Sequence, residues 1–215
     1  MDLKEYFTLV KQRKIEQFRR LNRFAKKGQI VFAGSSLAEQ FPLNELMLDH
    51  GVHAVMYNRG VGGFTTQEFA DNLDVLVLDL EPRKLFINIG TNDLNDADFD
   101  IDSFRGRYDA IIEAIQQASP LTTIYMMAYY PVNEAMLSAN SAGSGFLHRT
   151  NARVDEANRV VREIADARGA GYIDVTAGLR DENGSLKAEF SKEGLHFYAD
   201  GYEAIFDDLM RYALD

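Results

Sequence analysis

The chain has 215 residues, 46% hydrophobic and 26% charged, the composition of an ordinary globular protein at a length one core can still organise. Its net charge of −10 argues against a nucleic-acid partner, whose phosphates require a basic surface, and the absence of cysteine excludes disulfides and a thiolate nucleophile. No apolar run reaches the roughly 18 residues of a membrane span, and the N-terminus has no apolar signal segment with a cleavage site, so a cytoplasmic location is expected.

Leu3, Phe7, Val10, Phe18, Leu21 and Ala25 recur at helical spacing, which predicts an amphipathic helix over 3–27 that stops at Gly28. Residues 1–27 carry nine Lys/Arg against three Asp/Glu, although the chain as a whole is acidic. We therefore read 1–27 as a basic helix packed on an acidic body, 28–215, within a single domain. The same helix offers a route to a homo-oligomer.

Short apolar runs follow at Ile30–Ala33, Ala54–Tyr57, Leu85–Ile89, Thr122–Tyr129 and Tyr172–Val175. Helix-like stretches lie at about 37–49, 65–79, 102–118, 150–168 and 200–213. Continuous apolar strands alternating with amphipathic helices predict parallel strands covered on both faces. With right-handed crossovers they give a flavodoxin-like three-layer α/β/α sandwich on a five-stranded parallel sheet. The segment 131–149 is long for a strand-to-helix connection, and its polar, Gly/Ser-rich 138–145 stretch suggests an open lid.

In such a sheet, ligands bind beyond the carboxyl ends of the strands. The first three strands end on Gly34-Ser35-Ser36, on Asn58-Arg59-Gly60-Val61-Gly62-Gly63 and on Gly90-Thr91-Asn92-Asp93. Serine becomes a useful nucleophile only when a base takes its proton and a third group orients that base. Glu193 and His196, three residues apart near the C-terminus, supply a carboxylate and an imidazole. Acyl transfer also needs donors aimed at the developing oxyanion; the Ser36 N–H, a glycine N–H of the second block and the Asn92 amide are suitable. The plainer readings are that Ser36 caps the next helix, that the glycines make a tight turn and that Asp93 braces its loop.

Gly34–Leu37, Asn58–Gly63, Gly90–Asp93 and Glu193–His196 occur in the order of four sequence blocks and span most of the chain. In this the chain resembles the SGNH (GDSL-like) hydrolases. The resemblance implies an ester or thioester hydrolase with Ser36 as nucleophile, His196 as base, and Ser36, Gly63 and Asn92 around the oxyanion. Gly63 is preferred over Gly60 and Gly62 because it falls at the family's glycine when Asn58 opens the block. Glu193 stands where the family has the orienting aspartate, and Ser35 where it has the aspartate of its GDS. No metal or organic cofactor is implied, and the partner is a small ester substrate, with short acyl or acetyl-sugar esters favoured. Tyr130, at the end of the fourth strand, and His148, at the end of the long segment, are candidates for substrate contact. The alternative is a binding or scaffolding module on the same fold, weakened by the changes at Ser35 and Glu193.

Overall fold

The computed structural model of the chain describes residues 2–139 and 145–215. Five strands, β1 (Ile30–Gly34), β2 (Met56–Gly60), β3 (Lys84–Asn88), β4 (Thr123–Met127) and β5 (Gly171–Ile173), form one sheet in the order β2-β1-β3-β4-β5. Every pairing is parallel. This is the predicted fold, with strand order reversing beside β1.

The strands alternate their side chains between two cores, as a pleated sheet covered on both sides requires. Val31, Ala33, Leu85 and Ile87 enter one core with Phe104, Ile111 and Ile112 of α6 (Ile101–Ala118) and Val154, Val161 and Ile164 of α8 (Asn151–Arg168). Ile30, Phe32 and Phe86 enter the other. There they meet Leu37 of α2 (Ser36–Glu39), Met47 of α3 (Leu43–Asp49) and Phe206 and Leu209 of α9 (Ala199–Leu214).

The predicted helices shift where local chemistry intervenes. The stretch 37–49 breaks into α2 and α3 at Phe41-Pro42, since proline lacks the N–H that would continue a helix. The stretch 65–79 becomes α4 (Thr66–Ala70), α5 (Leu73–Leu76) and a 3-10 turn at Leu78–Leu80. Thr65 and Glu68 cap α4 reciprocally, which fixes its start. The segment 131–149 contains the short α7 (Glu134–Ala139), and most of the 138–145 stretch read as a lid lies outside the described residues.

The N-terminal helix α1 (Leu3–Asn22) ends five residues earlier than expected, and Gly28 closes the loop after it. Ile15 and Phe18 are its buried residues, packed in the first core with Phe64, Phe69 and Leu73. Arg59 fixes the helix further, its guanidinium lying over the Phe18 ring at 4.8 Å and donating to Asn22 Oδ1 at 2.9 Å. Among the described residues no helix is long and apolar enough to cross a membrane.

Gly60 shows how tightly the rim is packed. A Cβ there would lie 2.1 Å from the Glu39 backbone nitrogen, so α2 rests directly on the end of β2. Gly60→Ala therefore pushes α2, and Ser36 at its start, off the sheet. We expect a loss of about 1–3 kcal/mol in stability by urea denaturation, the usual range for overpacking, with activity falling further than stability does.

Candidate active site

The sheet register places the three strand ends side by side. Gly34 of β1 is paired with Gly60 of β2 on one side and Asn88 of β3 on the other. Ser36, Gly63 and Asn92 follow those ends within a few residues and line one cavity of about 480 Å³ together with His196.

Ser36 is the first residue of α2, and the capping position is held by Ser35, whose side chain makes no cap hydrogen bond. The Ser36 hydroxyl is thus not spent on the helix; its Oγ lies 2.8 Å from His196 Nε2. The other ring nitrogen, Nδ1, is in short contact with Glu193 Oε1. A tight turn holds this pair: Gly194 N donates to Ser191 Oγ at 2.7 Å and Lys192 N to the His196 carbonyl at 2.8 Å. Burial opposes ionisation of Glu193, but the hydrogen bonds and charge at His196 outweigh it and hold the carboxyl below its ordinary value.

The glycine block separates its own amides. Gly60 N donates to Asn58 Oδ1 at 2.8 Å, Val61 N to the Gly34 carbonyl at 3.0 Å and Gly62 N to Glu39 Oε2 at 2.8 Å. The Gly63 N–H has no acceptor among the described residues. Gly63 also has φ of 75°, a left-handed conformation that favours glycine. Asn92 Nδ2 donates to the Phe64 carbonyl at 2.9 Å, which spends one of its two protons. Asp93 has the bracing position expected of it, accepting from Thr66 N at 2.9 Å and Thr66 Oγ1 at 2.6 Å.

Two candidate substrate contacts lie elsewhere. Tyr130 is buried in the second core against Phe197 and does not line the cavity. His148 is exposed and also absent from the cavity wall. The wall comes instead from Phe146 two residues earlier, whose ring meets that of His196 edge-on at 5.9 Å.

Sequence reasoning missed the opposite wall. Phe7, Val10, Lys11 and Lys14 of α1 line the cavity beside Ser36. Lys11 Nζ donates to the Gly63 carbonyl at 2.9 Å and to Glu68 at 2.7 Å, and Lys14 pairs with Glu39 at 3.1 Å. The helical spacing 7, 10, 11, 14 was visible in the sequence, but nothing there indicated that this face meets the glycine loop. Arg149 was missed as well. It is 2% exposed and donates to Asn92 Oδ1 at 2.9 Å and Asn95 Oδ1 at 3.1 Å. Burial pushes its guanidinium down to about 9, against the pull of Asp93 and Glu193, so it remains charged at neutral pH.

The GDSL-like lipase/acylhydrolase family matches residues 32–204. A solved Streptococcus pneumonia protein, provisionally named a platelet activating factor, is 29% identical, with a TM-score of 0.88 over 98% of this chain and 96% of its own. A GDSL-like lipase from Bacteroides thetaiotaomicron is 18% identical, with a TM-score of 0.74 over 93% of this chain and 98% of its own. Axe2, an acetylxylan esterase from Geobacillus stearothermophilus solved as a catalytic mutant, is 15% identical, with a TM-score of 0.65 over 87% and 95%. Among curated proteins, the N-acylneuraminate cytidylyltransferase of Escherichia coli O18:K1:H7 is 23% identical over 87% of this chain, which spans 41% of that protein's length.

The depressed Glu193 carboxyl has a pH signature. A folded pKa below the ordinary 4.5 contributes stability above that value and loses it as pH falls through the folded pKa. In thermal melts, the margin of wild type over Glu193→Gln should therefore shrink as pH falls from the ordinary carboxyl value through the lower folded one.

Proposed function

The chain belongs to the GDSL-like lipase/acylhydrolase family and is an esterase of the SGNH type, and from that premise we propose that it cleaves carboxylic esters through an acyl-enzyme on Ser36. The observation that carries this reading is the 2.8 Å contact of Ser36 Oγ with His196 Nε2, in a cavity also lined by Gly63 and Asn92.

In the proposed reaction, His196 Nδ1–H donates to Glu193, which leaves Nε2 unprotonated and able to accept from the Ser36 hydroxyl. Ser36 Oγ attacks the acyl carbon as Nε2 takes its proton. The carbonyl oxygen becomes an alkoxide facing the Ser36 and Gly63 N–H groups and the second Nδ2–H of Asn92. Collapse expels the alcohol, which receives the proton from Nε2. A water molecule then gives a proton to Nε2 and attacks the acyl-enzyme; the acid departs and Ser36 regains its hydrogen. A thioester would follow the same path with a thiol leaving group. Glutamate at position 193 reaches His196 within a single turn, which supports it as the orienting group despite its extra methylene.

Short acyl esters, acetyl esters of sugars among them, are the substrates we favour. The acetylxylan esterases that share the fold support this class. So do Phe7 and Phe146, aromatic residues that line the cavity and offer apolar surface to a sugar ring.

Intact-mass spectrometry after fluorophosphonate treatment tests the acyl-enzyme. A single adduct on wild type and none on Ser36→Ala is expected; no adduct on either protein would overturn the reading in favour of a binding module. On p-nitrophenyl acetate, Ser36→Ala should abolish turnover. Glu193→Gln should cost about 10⁴-fold in kcat and His196→Ala about 10⁶-fold, by analogy with measured triads.

A further inference from the structure

Arg149 is an unusual occupant of its site. Its side chain is fully buried, yet among the described residues its guanidinium has no carboxylate within ion-pairing distance. Its partners are the neutral amide oxygens of Asn92 and Asn95, and the Phe146 ring at 5.5 Å. Burying a charge against neutral acceptors is costly, and a neutral side chain could fill the same space more cheaply. What the charge gains there is control over one amide.

Asn92 Oδ1 accepts from Arg149 Nη2 at 2.9 Å and more weakly from Asn95 Nδ2 at 3.4 Å, and Nδ2 donates to the Phe64 carbonyl at 2.9 Å. Turned over, the amide would present its NH₂ to the guanidinium, donor against donor, and its oxygen to the Phe64 carbonyl, acceptor against acceptor. Both ends reject that orientation. With Oδ1 held and one N–H spent, the second Nδ2–H is the proton left to the cavity that Asn92 shares with Ser36 and Gly63. A cation on Oδ1 also polarises the amide and strengthens Nδ2–H as a donor.

Resting on the reading of Asn92 as an oxyanion donor, we propose that Arg149 is a positioning residue for ester hydrolysis. It locks the Asn92 amide with N–H toward the developing oxyanion and carries positive charge to it through that amide. The 131–149 segment thereby serves the reaction at two points: Phe146 walls the cavity and Arg149, three residues on, sets the oxyanion donor.

A double-mutant cycle tests this with p-nitrophenyl acetate as substrate. Loss of one oxyanion donor costs about 10²–10³-fold in kcat, which is the effect expected of Asn92→Ala. Arg149→Met should lower kcat by about 10–100-fold, a part of that, with KM little changed. In the Asn92→Ala background it should cost nothing further, because the amide it acts through is gone. Arg149→Lys should recover part of the loss. Phenylboronic acid, which forms a tetrahedral anion on the serine, should weaken in parallel with kcat across the series.

If Asn92→Ala leaves kcat unchanged, the oxyanion reading fails and the role of Arg149 with it. If Asn92→Ala is impaired but Arg149→Met is not, or the two losses multiply, the oxyanion reading stands and the proposal for Arg149 is overturned. Should Arg149→Met not fold, Arg149→Gln, which removes the charge and keeps a polar side chain in its place, carries the same cycle.

Discussion

The register of the three strands on the β2-β1-β3 side is the constraint on which the rest of the site depends. Gly34 is aligned with both Gly60 and Asn88, so three chain segments leave the sheet at one level and turn into one space. Parallel pairing makes this possible, because only strands running the same way deliver successive loops to the same rim. A one-residue slip would turn side chains meant for one core into the other and separate Ser36 from Asn92 at the same time. The packing that stabilises the sheet and the geometry that supports catalysis are therefore one arrangement. α2 sits close enough to β2 that only glycine fits at position 60.

Much of this was legible in the sequence because apolar runs and glycine-rich breaks are local signals. All five strands were predicted within a few residues, and the blocks at 34–37, 58–63, 90–93 and 193–196 identified the residues that the fold gathers. The break at Phe41-Pro42 was missed although proline was its signal, because the apolar periodicity across it obscured the stop. Tyr130 was ambiguous for a different reason. At a strand end a tyrosine reads equally well as pocket or core, and only the tertiary contact with Phe197 decides.

The cavity walls were not legible, and the reason is sequence distance. Lys11 meets Gly63 across 52 residues, and Arg149 meets Asn92 across 57. Nothing in the neighbourhood of either residue marks it out. A basic amphipathic helix ordinarily presents its charges to solvent, and an arginine in a polar connection is ordinarily exposed. Here both cations are turned inward to hold the loops after β2 and β3.

That inward turn explains a feature the fold alone does not require. A serine, a histidine and a carboxylate can be aligned by the sheet and the C-terminal turn without help from α1, the turn itself being tied to Asn133, whose N–H donates to the Gly194 carbonyl at 2.8 Å. The loops after β2 and β3 are less well fixed by the sheet, since each runs several residues beyond the last strand pair before reaching Gly63 or Asn92. Lys11 holds the Gly63 carbonyl and the α4 cap at Glu68 together, while Arg149 holds Asn92 to Asn95. Catalysis by preorganised donors works only if those donors do not relax when charge develops. Two long cationic side chains, brought in from outside the four sequence blocks, supply that rigidity to the loops the sheet leaves free. On this argument the elements flanking the site are part of its architecture, and their sequences are constrained by the two loops they hold.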